Sequence, residues 1–295
     1  MRVAVIDVGS NSVRLLVASV KRRGLVRELD RDRVYLRLGD DAYRLGGIGA
    51  RKLDELEYVA ERYAQRARLS RVERLETVVT APGRQAGNAD ELVDVLGEAT
   101  RAPVTVLSAE DEARLAWEGA VAAAEDPQPP VAVVDLGGGS CEVAVGFPGV
   151  GPTWLGSRDA GALRVTRRFL PEHRPDARDV KSARGAIREL LEGLDAPRPD
   201  TALAIGGTAR AVAKITGERF GQKKLDALAD QIARAGVASL VRGLDITPER
   251  TETLLGGTLV LAEVARRLAA KFAVGSGGLR EGVALALARE QSVAA

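Results

Sequence analysis

"VAVIDVGSNSVRLLVASV" (Val3–Val20) and "VAVVDLGGGSCEVAVGF" (Val131–Phe147) are one device written twice. A shift of 128 positions brings Val3, Ala4, Val5, Asp7, Gly9, Ser12 and Val17 onto identical residues. Each copy is an apolar run ending in Asp, a turn of small residues and a second apolar run, which is the pattern of a β-hairpin. Each turn offers backbone N–H groups and a Ser hydroxyl. Gly lets the backbone approach a ligand with no Cβ in the way, and successive N–H groups form a nest for an anion. The Asp cannot meet a phosphate directly, because two anions repel, but a divalent cation between them reconciles the pair. Mg²⁺ is held in this way by one or two carboxylates, waters and the substrate's own phosphates. A single Gly-rich turn is usually no more than a tight hairpin. Two in register, each led in by an Asp, point to a phosphate chain held between two related domains.

Outward from the first hairpin, the pattern alternates strand and helix. A third strand is expected at Val26–Asp30, then a Gly-containing loop to Gly49 and a helical period over Lys52–Arg68. "ETVVT" reads as a strand, Ala89–Thr100 as a helix and "PVTVLS" as a strand. Ala109–Ala124 reads as a helix whose opening acids, Glu110, Asp111 and Glu112, suit the positive end of its dipole. "EDPQPP" (Glu125–Pro130) is a linker, since prolines so closely spaced fit neither a helix nor a central strand.

After the linker the order restarts. The second hairpin is followed by a strand near "PTWLGS", helices at Ala162–Phe169 and Val180–Leu194, and the strand "TALAIGG". A helix then runs from Thr208; Leu225–Arg242, Pro248–Ala270 and Leu279–Glu290 are also helical, with a brief strand at "FAV". "GGTAR" (Gly206–Arg210) follows a strand and opens a helix, so Gly206, Gly207 and Thr208 form a third place where backbone meets an anion. The fold class is therefore α/β, with two duplicated domains expected at residues 1–124 and 125–278.

Composition narrows the function. The chain of 295 residues is 45% hydrophobic and 28% charged, which suits a globular protein of two domains. Aromatics make up only 3%, so Val, Leu, Ile and Ala must build the core. A lone cysteine, Cys141, excludes an internal disulfide and a four-thiolate zinc site, and with no cleavable leader the expected location is cytoplasmic. No apolar run reaches the ~18 residues of a membrane helix, so no membrane partner is expected. The net charge of +2 and the lack of a basic block interleaved with aromatics argue against a specific nucleic-acid partner.

The motifs "DVGSNSVRLLVA", "EDEARLAWEG", "VVDLGGGSCEVAVG", "IGGTARAVA" and "GLREGVAL" resemble, in this order and over nearly the full length, the exopolyphosphatase / guanosine pentaphosphate phosphohydrolase (Ppx/GppA) family. That resemblance implies two domains of the actin, sugar kinase and heat-shock chaperone type, with a catalytic cleft between them. By the same resemblance, Glu112 is the general base that activates water and Glu142 a second essential acid, assisting with water or metal. Asp135 matches a metal-site carboxylate, with Asp7 its counterpart. Gly137, Gly138, Gly139 and Ser140 match a phosphate loop, as do Ser10, Asn11 and Ser12 on the other side. Arg84 in "TAPGRQA" stands where a phosphate-contacting Arg is found, and Arg14 is a further candidate.

Mg²⁺, or Mn²⁺ in its place, is the implied cofactor, polyphosphate or guanosine pentaphosphate (pppGpp) the implied substrate, and a homodimer an implied assembly. Longer relatives append a metal-binding helical domain, so this chain is expected to be a short two-domain form whose last helix, 279–295, returns to the first domain. The family usually has Thr or Ser where Cys141 stands, and small or apolar residues where Pro82 and Gly83 stand.

Other chemistries fit less well. A cysteine phosphatase needs an Arg six positions beyond its nucleophile, and position 147 is Phe, so Cys141 is read as a small strand residue. His173, in "PEHRPDARD", is read as a surface residue. A kinase of the same fold would need a substrate-binding insertion that is not evident. A non-catalytic sensor of pppGpp or polyphosphate would be marked by loss of Glu112 or Glu142, and both are present.

Overall fold

The computed structural model describes residues 1–21, 24–171 and 174–294. His173 lies outside the described residues. The chain divides into two units, one of Met1–Ala123 with Gly277–Ala295, the other of Ala124–Ser276.

The first unit begins with β1 (Arg2–Val8), β2 (Val13–Val20) and β3 (Val26–Val34). Then come α1 (Leu38–Leu45), α2 (Ala50–Leu69), β4 (Arg74–Val79), α3 (Ala81–Gln85), α4 (Ala89–Thr100), β5 (Val104–Val106) and α5 (Ala109–Ala122). Its sheet runs β3-β2-β1-β4-β5, antiparallel from β3 to β1 and parallel from β1 through β4 to β5. β1 is the middle strand, and "VAVIDV" is buried on both faces, which is why it reads as an unbroken apolar run. α2 turns Leu53, Leu56, Val59, Ala60, Tyr63 and Ala67 inward at helical spacing.

The second unit comprises β6 (Val131–Leu136), β7 (Cys141–Phe147), β8 (Gly151–Arg158), α6 (Ala162–Phe169), α7 (Ala177–Leu190) and β9 (Thr201–Ile205). It continues with α8 (Gly206–Thr216), β10 (Arg219–Gly221), α9 (Gln222–Ala235), α10 (Val237–Val241), α11 (Pro248–Arg267) and β11 (Lys271–Val274). The sheet order, read from its far edge, is β8-β7-β6-β9-β11-β10. Its first five strands repeat the order and directions of the first sheet, with β10 added at the edge. The sequence repeat is thus a repeat of topology, and the expected class, two duplicated α/β domains, is what the chain forms. α11 is buried on nearly every face and forms the centre of the second core, where Phe220 and Phe272 meet edge to face at 6.0 Å.

The last helix, α12 (Leu279–Ala294), packs on α5 within the first unit. The crossing is close because it is made by glycines. A Cβ on Gly282 would stand 1.9 Å from the Leu115 carbonyl oxygen, and one on Gly119 would stand 2.0 Å from that of Gly278.

Several expectations change. β3 continues past Asp30 to Val34, because the charged run "DRDR" is a paired strand edge: Arg66 of α2 binds Asp30 at 2.7 Å and Asp32 at 2.5 Å. The supposed loop to Gly49 contains α1, whose entry residue Arg37 is left-handed and makes no side-chain cap, so it carries no sequence signal. The helix expected over Leu225–Arg242 is broken at Gly236, whose φ of 77° is left-handed. The short elements α3 and β10 were not anticipated.

Gly282→Ala is expected to cost about 2 kcal/mol or more, because backbone rather than a flexible side chain blocks the new methyl. Gly97→Ala, in α4 with open space around it, should stabilise by up to about 1 kcal/mol. Urea unfolding of both variants checks the sign of each change.

Candidate functional site

Both hairpin turns close with the same bond. Gly9 N–H donates to the Ser12 carbonyl at 3.1 Å, and Gly137 N–H donates to the Ser140 carbonyl at 3.1 Å. Both are then braced from the chain that follows the third strand. In the first unit, Gly39 N–H donates to Ser10 O at 2.8 Å and Arg37 N–H to Asn11 O at 3.1 Å. In the second, Ala162 N–H donates to Gly137 O at 2.9 Å, and Leu163 and Arg164 N–H to Gly138 O at 3.0 Å. Ser10, Asn11, Ser12 and Ser140 are buried in these turns, and the Asn11 side-chain oxygen has no hydrogen-bond partner there. A buried acceptor left in this state is costly unless a ligand or water answers it.

The chemistry of the two turns diverges in the strands behind them. Asp7 on β1 is opposite Arg14 on β2, which is opposite Arg33 on β3. Arg14 Nη1 lies 3.9 Å from Asp7 Oδ2, and its Nε donates to Ser12 Oγ at 3.1 Å. The equivalent row in the second unit is Asp135, Glu142 and Ser157, with Ser157 Oγ donating to Glu142 Oε1 at 3.0 Å. Directly opposed residues share one face of a sheet. One row therefore sets two guanidiniums against one carboxylate, and the other sets two carboxylates beside a hydroxyl.

Such an all-oxygen pair fits a hard divalent cation and not zinc. The first residue of α8 packs close beside Asp135: a Cβ on Gly206, whose φ is 92°, would stand 3.2 Å from Asp135 Oδ1. Among the described residues no group of three or more His, Cys, Asp or Glu is gathered as a metal cage. Mg²⁺ needs no such cage, since waters and substrate phosphates complete its shell. Asp7, which faces Arg14, is the least suited of the three candidate carboxylates.

Glu112 sits in the first turn of α5. Of the three opening acids it alone is buried; Glu110 is exposed, and Asp111 bonds the N-cap Ser108 and pairs with Arg114 at 2.9 Å. Arg84, carried on α3, holds Glu112 Oε2 at 2.9 Å while its Nη1 donates to the Leu107 carbonyl at 2.8 Å. The first unit therefore brings together an oriented carboxylate and an arginine, and separately the cationic hairpin row.

In the second unit, Gly206, Gly207 and Thr208 open α8. Arg250 of α11, which no motif singled out, donates to Thr208 Oγ1 at 3.3 Å, and a Cβ on Gly207 would stand 2.2 Å from its guanidinium. Arg164 of α6, also unanticipated, donates to Gly139 O at 3.1 Å. Both lie far along the chain from the loops they touch, so spacing could not reveal them.

Cys141 is fully buried where β7 leaves the second turn. Burial pushes its thiol well above the ordinary range, with Glu142 and Asp135 adding to the effect. It is held as a neutral S–H and is no nucleophile.

The Ppx/GppA phosphatase family, by its sequence model, matches residues 16–291. Exopolyphosphatase 2 of Mycobacterium tuberculosis is 30% identical over 316 aligned positions, which cover 97% of this chain and 98% of the relative. The crystal structure of the Aquifex aeolicus Ppx/GppA family member superposes with a TM-score of 0.82 at 25% identity, covering 99% and 98% of the two chains. An exopolyphosphatase structure from Cytophaga hutchinsonii shares the fold at a TM-score of 0.86 and 19% identity, covering 97% of each. No helix among the described residues is long and apolar enough to cross a membrane.

Because the Cys141 thiol is shifted upward, it should stay protonated and inert to a disulfide reagent in the native protein up to about pH 9. One thiol should become reactive on unfolding in urea; rapid labelling of the folded protein at pH 8 would contradict the burial described.

Proposed function

The chain belongs to the Ppx/GppA phosphatase family of hydrolases, and from that premise we propose that it is an exopolyphosphatase, releasing the terminal phosphate of inorganic polyphosphate by in-line attack of water. The substrate choice is supported by the near-complete match with a curated exopolyphosphatase. The observation that carries the mechanism is the buried Glu112 carboxylate fixed by Arg84 at 2.9 Å.

Phosphoryl transfer demands little covalent chemistry of a protein, so positioned water and oriented positive charge do most of the work. Glu112 accepts a proton from the attacking water as its oxygen bonds to the terminal phosphorus. The bridging P–O bond breaks, and the shortened chain leaves as a phosphate anion. Arg84 orients Glu112 and draws the terminal phosphoryl group by its charge. The N–H groups and hydroxyls of residues 10–12 and 137–140, with Gly206, Gly207 and Thr208, bind the phosphoryl oxygens. Arg14 adds a direct cationic contact, oriented by Asp7.

Mg²⁺ or Mn²⁺, held by Asp135 and Glu142, would offset the negative charge of the phosphate chain. Ser157 fixes the orientation of Glu142 by its hydrogen bond. The acid and arginine belong to the first unit and the paired carboxylates to the second.

Phosphate release should be measured from short polyphosphate, long polyphosphate, pppGpp and ATP, with Mg²⁺ or with EDTA. Polyphosphate is expected to be turned over fastest, and only with the cation. Glu112→Gln should lower kcat about 10²- to 10⁴-fold with an unchanged circular dichroism spectrum. Preference for pppGpp would assign the 5′-phosphohydrolase activity instead. Tight binding of either ligand with no release would make the chain a sensor and end the mechanism.

A further inference from the structure

Arg280 is the second residue of α12, within "GLREG" (Gly278–Gly282). Burial and two neighbouring arginines make a positive charge expensive there. The side chain is partly buried. It stands in the first turn of a helix, where the dipole opposes cations. Burial and then Arg14 push its pKa below the usual arginine range, Arg33 adding to this, while Glu281 and Asp7 pull the other way.

Its one hydrogen bond among the described residues runs from Nη1 to the Leu15 carbonyl at 3.1 Å, and no carboxylate stands within ion-pair distance. Leu15 adjoins Arg14 on β2, so α12 brings Arg280 to the row already formed by Asp7, Arg14 and Arg33. Three guanidiniums then gather at a row whose one carboxylate is Asp7, with Glu281 next to Arg280 in the chain.

Arginine clusters in the second unit are matched by acids. Arg184 pairs with Asp226 and, at 3.2 Å, with Asp230; Arg266 and Arg267 close on Glu263 at 2.6 and 3.0 Å. Arg280 lacks such an acid, and a guanidinium has five N–H donors to satisfy. A single anchoring bond to a carbonyl does not need them. A phosphoryl group does, because two arginines grip its oxygens in forked, charge-assisted bonds.

We propose that Arg280 is a substrate-binding residue that works with Arg14 to hold phosphoryl oxygens of the phosphoanhydride chain. This rests on the hydrolase reading above and adds a residue to it. The contact serves binding rather than proton transfer, so its loss should appear in KM. Free phosphate offers the same oxygens, and the experiment separates the two sources.

In the full-length protein, Arg280→Met and Arg280→Lys are compared with wild type for kcat and KM on polyphosphate, for inhibition by inorganic phosphate, and for melting with and without tripolyphosphate. Arg280→Met should raise KM tenfold or more with kcat within about threefold. Arg280→Lys should recover part of that loss. Without anion the Met variant should melt at or above the wild-type temperature, since an opposed cation has gone, and it should lose the stabilisation that tripolyphosphate gives wild type.

A lower melting temperature with KM unchanged would make Arg280 a structural anchor and overturn the proposal. Weaker inhibition by phosphate with KM unchanged would assign the site to free phosphate and equally overturn the substrate role. Failure of the hydrolase reading would look different. Wild type would then release no phosphate, while tripolyphosphate stabilisation would still depend on Arg280.

Discussion

The register of two hairpins governs the chemistry of this chain. In each, a turn of the same length closes by a Gly N–H to Ser carbonyl bond, which fixes the residue opposite the strand-ending Asp. A slip of one residue would send every side chain of the second strand to the other face of the sheet. With the register fixed, the residue seven positions beyond each Asp must face it. In the first hairpin that residue is Arg14, and in the second it is Glu142. Identical backbones therefore present opposite charge.

That inversion gives the two copies different tasks. In the proposed mechanism the Asp7–Arg14–Arg33 row, with Arg280 beside it, binds the anion, and Asp7 orients a guanidinium. The Asp135–Glu142–Ser157 row is proposed to hold a hard cation, which would offset the repulsion between its two carboxylates. Gene duplication supplies the fold twice, and substitution of one cross-strand partner separates the functions. The proposed base, Glu112, comes from neither hairpin. It belongs to α5, whose close glycine contact with α12 also sets the position from which Arg280 emerges.

Much of this was legible in the sequence because it depends on local pattern. The repeat announced the duplicated domains, and strand–helix alternation after "EDPQPP" placed most elements within a few residues. The acids of "EDEAR" were visible, and burial then separated Glu112 from Glu110 and Asp111. What sequence concealed was whatever a distant part of the chain decides. The charged strand end at Asp30 and Asp32 is stabilised by Arg66, thirty-odd positions on. Helix α1 begins without a cap to mark it. Arg250 and Arg164 reach their loops only through the packing of α11 and α6. Arg280 lay inside a recognised motif, yet only the fold reveals the charges it meets.

The most direct test of the charge inversion is a Mn²⁺ titration followed by electron paramagnetic resonance, on wild type, Asp135→Asn and Asp7→Asn, with no substrate present. We expect Asp135→Asn to weaken Mn²⁺ binding tenfold or more and Asp7→Asn to leave it within about twofold. If Asp7→Asn weakens the cation as much as Asp135→Asn does, both hairpins hold metal, and the division of labour between them is wrong.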